Sequence, residues 1–153
     1  MNGFIKVIAI AGVMLVCSLS SAAQDRGLWS AANSTAKSIT GDISISDSKL
    51  IINLLGFPMA PIRKLEPAET AAVFAAEGNG GKGGNLYRLS IAAGQRFLHK
   101  NSLCGSEQTE WMVTNVSGKS LQVAFLSGTN MPVFTPEAMQ NSTDLCGTFS
   151  YVR

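Results

Sequence analysis

The stretch EWMVTNVSGKSLQVAFLSG, residues 110–128, decides the fold class. Two runs rich in β-branched and aromatic residues flank the polar turn SGKS, which is the pattern of a β-hairpin. Alternation along both runs predicts one apolar face directed toward a core. The side chains expected on that inner face are Trp111, Val113, Leu121, Val123 and Phe125.

The N-terminal part of the chain shows the same alternation on both sides of a polar turn. A strand in KSITGDISIS, residues 37–46, and a second in KLIINLLGF, residues 49–57, are predicted to form a hairpin around Asp47 and Ser48. The apolar residues expected on its inner face are Ile39, Ile43, Ile45, Leu50, Ile52 and Leu54.

Further short segments complete a chain made mostly of strands. FPMAPIRKL, residues 57–65, contains two prolines and is therefore expected at a sheet edge or as an extended segment. NLYRLS, QRFLH and the terminal GTFSYVR are predicted strands, the last with Phe149 and Tyr151 on one face. Together with the two hairpins, this makes seven to nine strands.

Helix signals are sparse. One helix is predicted in EPAETAAVFAAEG, residues 66–78, with Pro67 at its first position and Glu69 in its first turn. A single helical turn is predicted in TPEAMQ, residues 135–140, capped by Thr135. Closely spaced strands with few helices favour a mainly β fold, a single small antiparallel barrel or sandwich with one short helix.

The N-terminus has the features of a secretory signal peptide. Val7–Leu19 is an apolar run, and it is short for a bilayer span, which needs about 20 residues. Ser21 and Ala23 then fit the small-x-small cleavage rule. We expect residues 1–23 to be removed, leaving 24–153 as one β-rich domain that is periplasmic or secreted, with no stable membrane span. The alternative is an uncleaved anchor.

The cysteines predict one disulfide. Cys17 lies within the predicted signal peptide, and Val16 before it is not the small residue that lipid attachment requires. After cleavage, the even pair Cys104 and Cys146 in an oxidising compartment predicts a disulfide bond. A Cys104–His99 catalytic dyad and a metal site formed by these three residues are the alternatives, but neither has a recognised spacing.

Several function classes find little support in the sequence. Without Lys6 the chain has 11 Lys and Arg against 10 Asp and Glu and no basic run, so no nucleic-acid partner is expected. His99 is the single histidine, and a hydrolase would have to use it. The carboxylates that would have to supply a glycosidase pair show no distinguishing pattern; they are Glu66, Glu69, Glu77, Glu107 and Glu110. We therefore expect no catalysis, cofactor or metal.

The glycine-rich segment GNGGKGGN, residues 78–85, contains G-x-G-x-x-G at Gly78, Gly80 and Gly83. A dinucleotide site needs a strand before these glycines and a helix after them, and here the predicted order is reversed. We interpret the segment as a surface loop whose tip carries Lys82. Asn33, Asn115 and Asn141 begin N-x-Ser/Thr triplets, which matter only in a eukaryotic source.

Two short motifs resemble known groups of exported proteins. Gly27-Leu28-Trp29 resembles the G-x-W start of the lipocalins, small barrels that hold apolar ligands and in which the tryptophan closes one barrel end. This chain lacks the long helix that follows the last strands in that family. The ending LCGTFSY, together with the LCG at 103–105, resembles small exported proteobacterial proteins with no assigned function, which implies an envelope location and no activity.

These observations lead to three hypotheses of function. The first is a non-catalytic exported binding protein whose partner is a small apolar ligand or another protein. Trp111, Phe125, Phe149 and Tyr151 would then line a core or a pocket. The second is a protein inhibitor or envelope assembly factor acting through an exposed loop such as 78–85. The third is a hydrolase that uses His99.

Overall fold

A computed structural model describes residues 24–74 and 83–153 of the 153-residue chain. Its strands form a closed antiparallel barrel in which each strand pairs with its neighbours in sequence and the last pairs with the first. This confirms the mainly β fold and decides in favour of a barrel. The predicted signal peptide, Cys17, Glu77 and the loop tip with Lys82 lie outside the described residues.

The barrel has eight strands, within the expected range. They are β1 (Gly27–Ala31), β2 (Ile43–Ile45), β3 (Lys49–Ile52), β4 (Leu55–Leu65), β5 (Gly84–Ile91), β6 (Thr109–Ser117), β7 (Ser120–Leu126) and β8 (Leu145–Val152). The described helices are α1 (Ser34–Ile39), α2 (Pro67–Phe74) and α3 (Pro136–Gln140), with a 3₁₀ turn at Leu98–Lys100.

The β6–β7 hairpin is buried on both faces. Met112 pairs with Phe125, and both belong to the cluster inside the barrel. Trp111 and Val113 alternate with Met112 along β6 and therefore lie on its other face. They belong to a second cluster, on the outside of the barrel. The inward prediction is thus correct for the three β7 residues and wrong for these two. Because β6 is apolar at consecutive positions, alternation alone could not determine which face is inside.

The first predicted strand is shorter than expected because α1 occupies its beginning. The Asn33 side chain accepts a hydrogen bond from the Ala36 amide at 2.9 Å, which caps the helix. Ile39 therefore ends α1 and is not part of a strand, which corrects the prediction. Ile43 and Ile45 form the inner face of β2 as expected.

The segment 49–57, predicted as one strand, is divided by a turn between β3 and β4. Ile52 pairs with Leu55, so Asn53 and Leu54 are a two-residue loop. Leu50 and Ile52 face inward as predicted, but the prediction for Leu54 is wrong. Its side chain is 96% exposed.

The proline-containing strand β4 has a different partner in each half. Residues 55–58 pair with β3, and residues 59–65 pair with β5. Each half therefore has one side without a strand partner, which is where the missing N–H groups of Pro58 and Pro61 are tolerated. The predicted edge character holds locally, although the barrel as a whole is closed.

Two helices cover the outside of β5–β7. Pro67 begins α2 and Glu69 lies in its first turn, as predicted, while α3 is capped by Thr135, which accepts from the Ala138 amide at 3.1 Å. The described part of the chain contains two helices more than the single one expected, because α1 is new and the 135–140 turn counts as a helix. The segment QRFLH contains a 3₁₀ turn and is not a strand.

The predicted disulfide is present. Cys104 and Cys146 are bonded, with Cα atoms 4.9 Å apart and a sequence separation of 42. The bond ties the loop before β6 to the start of β8, at the barrel end opposite the β6–β7 turn. It therefore fixes the last strand of the barrel to the central hairpin.

Candidate functional site

The outer surface of β1–β3 carries exposed apolar side chains. Leu28 pairs with Ser44, and Ser44 with Ile51, so Leu28 and Ile51 lie on one row across three strands. Leu28 is 78% exposed and Ile51 is 38% exposed. We call the surface formed by Leu28, Ile51 and Leu54 the Leu54 face. Exposed apolar patches on small proteins commonly mark interaction sites.

The turn that presents Leu54 has an unusual backbone. Asn53 and Leu54 have φ angles of 49° and 67°. A two-residue hairpin loop with both φ values positive prefers Asn followed by Gly, because glycine has no Cβ to clash. Leucine in this conformation costs roughly 1–2 kcal/mol. The chain accepts this strain and places a large apolar side chain in water, which points to a use for Leu54 outside the fold.

A cleft of about 420 Å³ lies on the Leu54 face. Leu28, Ile51 and Leu54 line it together with Leu98, and Asp42 supplies a carboxylate at its wall. Its volume is within the range of about 300–1,000 Å³ that is typical of ligand sites. The cleft is therefore mainly apolar, with Asp42 as the one charged side chain in its lining.

A second turn with left-handed backbone borders the same cleft. His99 and Lys100, next to Leu98, have φ angles of 54° and 61°. His99 Nδ1 lies 3.1 Å from the Ser38 carbonyl oxygen, and Asn101 Nδ2 donates to that oxygen at 3.1 Å. Because Ser38 is in α1, this turn satisfies a carbonyl near the end of the helix. Both turns place leucine side chains at one cleft, and such strained residues cluster at functional sites.

Replacing Leu54 with glycine is expected to stabilise the protein. The substitution relieves roughly 1–2 kcal/mol of strain in the folded state. Glycine also gives the unfolded chain more conformational entropy, which lowers the stability by about 0.4–1 kcal/mol. We expect the free energy of unfolding to rise by about 0.5–1 kcal/mol, measured by urea unfolding. The matched control is Leu55→Gly, one residue later within β4, where the change should lower stability. Equal loss in both variants would contradict a strained Leu54.

The barrel interior is filled by side chains. All eight strands contribute to one buried cluster, which also includes residues of α1 and of the loop before β6. Its fully buried aromatic members are Trp29, Phe125, Phe149 and Tyr151. Phe125 and Phe149 pack edge to face with ring centroids 5.3 Å apart. Three of the four aromatics proposed for a core or pocket thus pack in the core, and Trp111 packs outside.

A buried carboxylate lies where β1 begins. Asp25 is 0% exposed, and its Oδ2 accepts hydrogen bonds from Tyr87 at 2.8 Å, Thr114 at 2.5 Å and Asn85 at 3.1 Å. Its backbone oxygen accepts from Trp29 Nε1 at 2.8 Å. These bonds attach the segment before β1 to β5 and β6 across the barrel. Burial, and next the Asp25 charge, raise the pKa of the Tyr87 hydroxyl, so it remains a donor.

Two of the candidate glutamates, Glu69 and Glu110, form ion pairs with arginines. Glu110 is buried and forms a salt bridge with Arg88, whose guanidinium also stacks on Trp111 at 4.4 Å from the ring centroid. Glu69 pairs with Arg63 at 2.7 Å, and this hydrogen bond lowers the Glu69 pKa. The two glutamates are engaged in separate ion pairs on different parts of the barrel. Their contacts indicate two separate ion pairs and give no support to a shared acid–base function.

The alternative uses of the cysteines do not fit the geometry. Cys104 is bonded to Cys146 and so offers no free thiol to His99. Within residues 24–74 and 83–153, no group of three His, Cys, Asp or Glu side chains is placed to hold a metal ion. In the same part of the chain, no helix is long and apolar enough to cross a membrane.

The Asn triplets differ in accessibility. Asn115 is buried and donates through Nδ2 to Gln122 at 3.2 Å, so it is closed to glycosylation in the folded protein. Asn33 caps α1, and the exposed Asn141 donates to the Glu137 carbonyl at 3.0 Å.

Comparisons with known proteins return no relative. A scan against protein-family models gave no match, and searches of curated proteins and of solved structures gave no significant match. The function must therefore be argued from this chain's own surface.

Sequence reasoning missed both Asp25 and Leu54. The signal for Leu54 was available in Asn53-Leu54-Leu55, because Asn at the end of an alternating run is a turn residue. A turn at Asn53 and Leu54 interrupts the alternation of inner and outer side chains, so Leu54 no longer falls on the inner face. Asp25 gives no local signal, since its partners lie 60 to 89 positions away along the chain.

Proposed function

We propose that this protein is a non-catalytic, exported binding protein that recognises a protein partner through the Leu54 face. The observation that supports it is Leu54 itself, an apolar side chain that is 96% exposed in a strained turn beside an apolar cleft. An interaction site explains why such a residue is kept where glycine would be favoured. Export to the periplasm or outside the cell rests on the features of residues 1–23.

A protein partner is favoured over a small ligand held inside the barrel. The interior is occupied by aromatic and aliphatic side chains from every strand, whereas the Leu54 face presents three apolar side chains to solvent. The fully buried centre of an interface is more apolar than the rest of it, and the rim around this centre is polar. A small apolar molecule bound in the cleft on this face is the competing outcome. The loop hypothesis concerns residues 78–85, of which the structure describes only 83–85, and Gly84 and Asn85 already belong to β5.

Replacing Leu54 with aspartate is expected to weaken binding strongly without unfolding the protein. A charge at a buried hot spot costs about 2 kcal/mol or more, which weakens binding by a factor of about 30. Native mass spectrometry of the protein purified from its own host should show a partner with the wild type and not with Leu54→Asp. Thermal unfolding should be nearly unchanged because the side chain is exposed.

The control for this experiment is Val133→Asp. Val133 is 65% exposed, lies in the loop before α3 and does not line the cleft, so this variant should keep the partner. Retention of the partner by Leu54→Asp would refute the proposed surface. A co-purifying small molecule with no protein partner would refute the protein-partner hypothesis and favour the ligand alternative.

A further inference from the structure

The carboxylate of Asp25 is only half satisfied. Three donors converge on Oδ2, but no described residue donates to Oδ1, which is fully buried. A buried carboxylate oxygen without a donor is costly, and a buried charge without a counter-charge is costlier still. The geometry therefore calls for a further donor, preferably a cation, at Oδ1.

The two arginines near this barrel end are engaged elsewhere. Arg26 forms a salt bridge with Asp47 at 2.5 Å. Arg153 stacks over the Trp29 ring at 4.3 Å from its centroid and donates to the Arg26 carbonyl at 3.2 Å. Tyr87, Thr114 and Asn85 supply only neutral donors. The negative charge of Asp25 is thus uncompensated among the described side chains.

We propose that the α-ammonium group of the mature chain pairs with Asp25. Cleavage of the Ala23–Gln24 bond by water, as predicted for a signal peptidase, creates this cation on Gln24, which is adjacent to Asp25. An ammonium has three donor protons and a full charge, and a hydrogen bond between charged groups is about twice as strong as a neutral one. The inference rests on the cleavage position in the proposed function.

Two consequences distinguish this pairing from a purely structural Asp25. First, the precursor has a neutral amide where the mature chain has a cation, so processing itself stabilises the barrel end. Second, the pairing protects the N-terminus from cyclisation. A free N-terminal Gln forms pyroglutamate when its α-amino nitrogen attacks side-chain Cδ, the Cδ–Nε2 bond breaks and ammonia leaves. A protonated, ion-paired amine lacks the lone pair for this attack.

The first test compares N-terminal forms of the chain 24–153. One form has the free Gln24 amine, one is acetylated there, and one has an additional Ala23; each is made with Asp25 and with Asp25→Asn. Acetylation or extension should lower the folding equilibrium constant about tenfold or more with Asp25 and less than about twofold in the Asp25→Asn background. Equal losses in both backgrounds would overturn the pairing. If Asp25→Asn fails to fold, the three N-terminal forms can still be compared with Asp25 present. Unchanged stability on acetylation or extension would then overturn the pairing.

The second test follows the loss of ammonia from Gln24 by mass spectrometry. Cyclisation should be at least about tenfold slower in the native protein than in the same chain unfolded in urea or in folded Asp25→Asn. The same rate in all three would overturn the proposal.

The N-terminal residue of the protein exported by the host distinguishes a wrong cleavage position from a wrong pairing with Asp25. A mature N-terminus other than Gln24 overturns the cleavage prediction together with this pairing. A mature Gln24 without coupling to Asp25 overturns the pairing alone and leaves the proposed binding function intact.

Discussion

Loss of the Cys104–Cys146 disulfide is expected to lower the free energy of unfolding by about 4 kcal/mol. The bond closes a loop with a sequence separation of 42, and the unfolded chain regains the entropy of that loop when the bond is absent. Because domains of this size have total stabilities of about 5–15 kcal/mol, the reduced protein should be only marginally folded. Urea unfolding with and without reductant measures the difference.

The matched control is Cys104→Ser combined with Cys146→Ser. This variant should unfold at the same low urea concentration in both conditions, and reductant should affect only the wild type. The location of the bond shows which part of the barrel it stabilises. It holds β8 beside the loop that leads into β6, and β8 is the strand that closes the barrel onto β1. A wild type that unfolds identically with and without reductant would contradict a stabilising disulfide.

The class of fold could be predicted because alternation and turn residues are local signals. The β6–β7 hairpin, the β2–β3 hairpin and the last strand all lie where their patterns placed them. Helix starts were equally readable, since Pro67 acts through its fixed backbone angle and Thr135 through its side-chain hydroxyl. Closure of the strands into a barrel needed the pairing of β1 with β8, which no local pattern specifies.

The errors have two physical causes. Alternation identifies an inner face only where the other face is polar, and the outside of β6 is covered by helices. Trp111 and Val113 are therefore buried against α2 and α3. Because they are apolar, the sequence pattern assigned them to the inner face of the barrel. The Asn33 cap and the Asn53 turn are single polar residues that override the phase of the apolar residues next to them.

The candidate sites were harder to predict than the fold. Leu54 was noticed as an apolar residue but assigned to the wrong side, because its exposure depends on a turn only two residues long. Asp25 looks in sequence like an ordinary polar residue after a signal peptide. Its importance follows from burial and from three partners that folding brings together from β5 and β6.

Replacing Trp29 with alanine is expected to cost about 3–5 kcal/mol, the range for removing a large aromatic side chain from a core. Trp29 is 1% exposed and lies in the cluster inside the barrel. The variant leaves a cavity and also removes the hydrogen bond from Nε1 to the Asp25 carbonyl. Thermal or urea unfolding measures the loss.

The conservative variant Trp29→Phe separates packing from hydrogen bonding. It keeps most of the ring volume and should lose about 1–2 kcal/mol, mainly because the Asp25 carbonyl loses its donor. Trp111→Phe gives the comparison outside the barrel, where Trp111 Nε1 donates to the Gly128 carbonyl at 2.8 Å. If Trp29→Ala costs no more than Trp29→Phe, the cavity argument is wrong.

The effect of Trp29 extends beyond its own contacts because it joins Asp25, which precedes β1, to Arg153, which follows β8. Arg153, the last residue, stacks on its ring and donates to the Arg26 carbonyl, while Asp25 accepts from its indole. Removing the ring therefore loosens the pairing of β1 with β8 as well as the attachment of the segment before β1. We expect Trp29→Ala to increase amide hydrogen exchange at Ser30, Ala31 and Val152 more than at the β6–β7 hairpin. Uniform exchange across the barrel would indicate a global loss of stability instead.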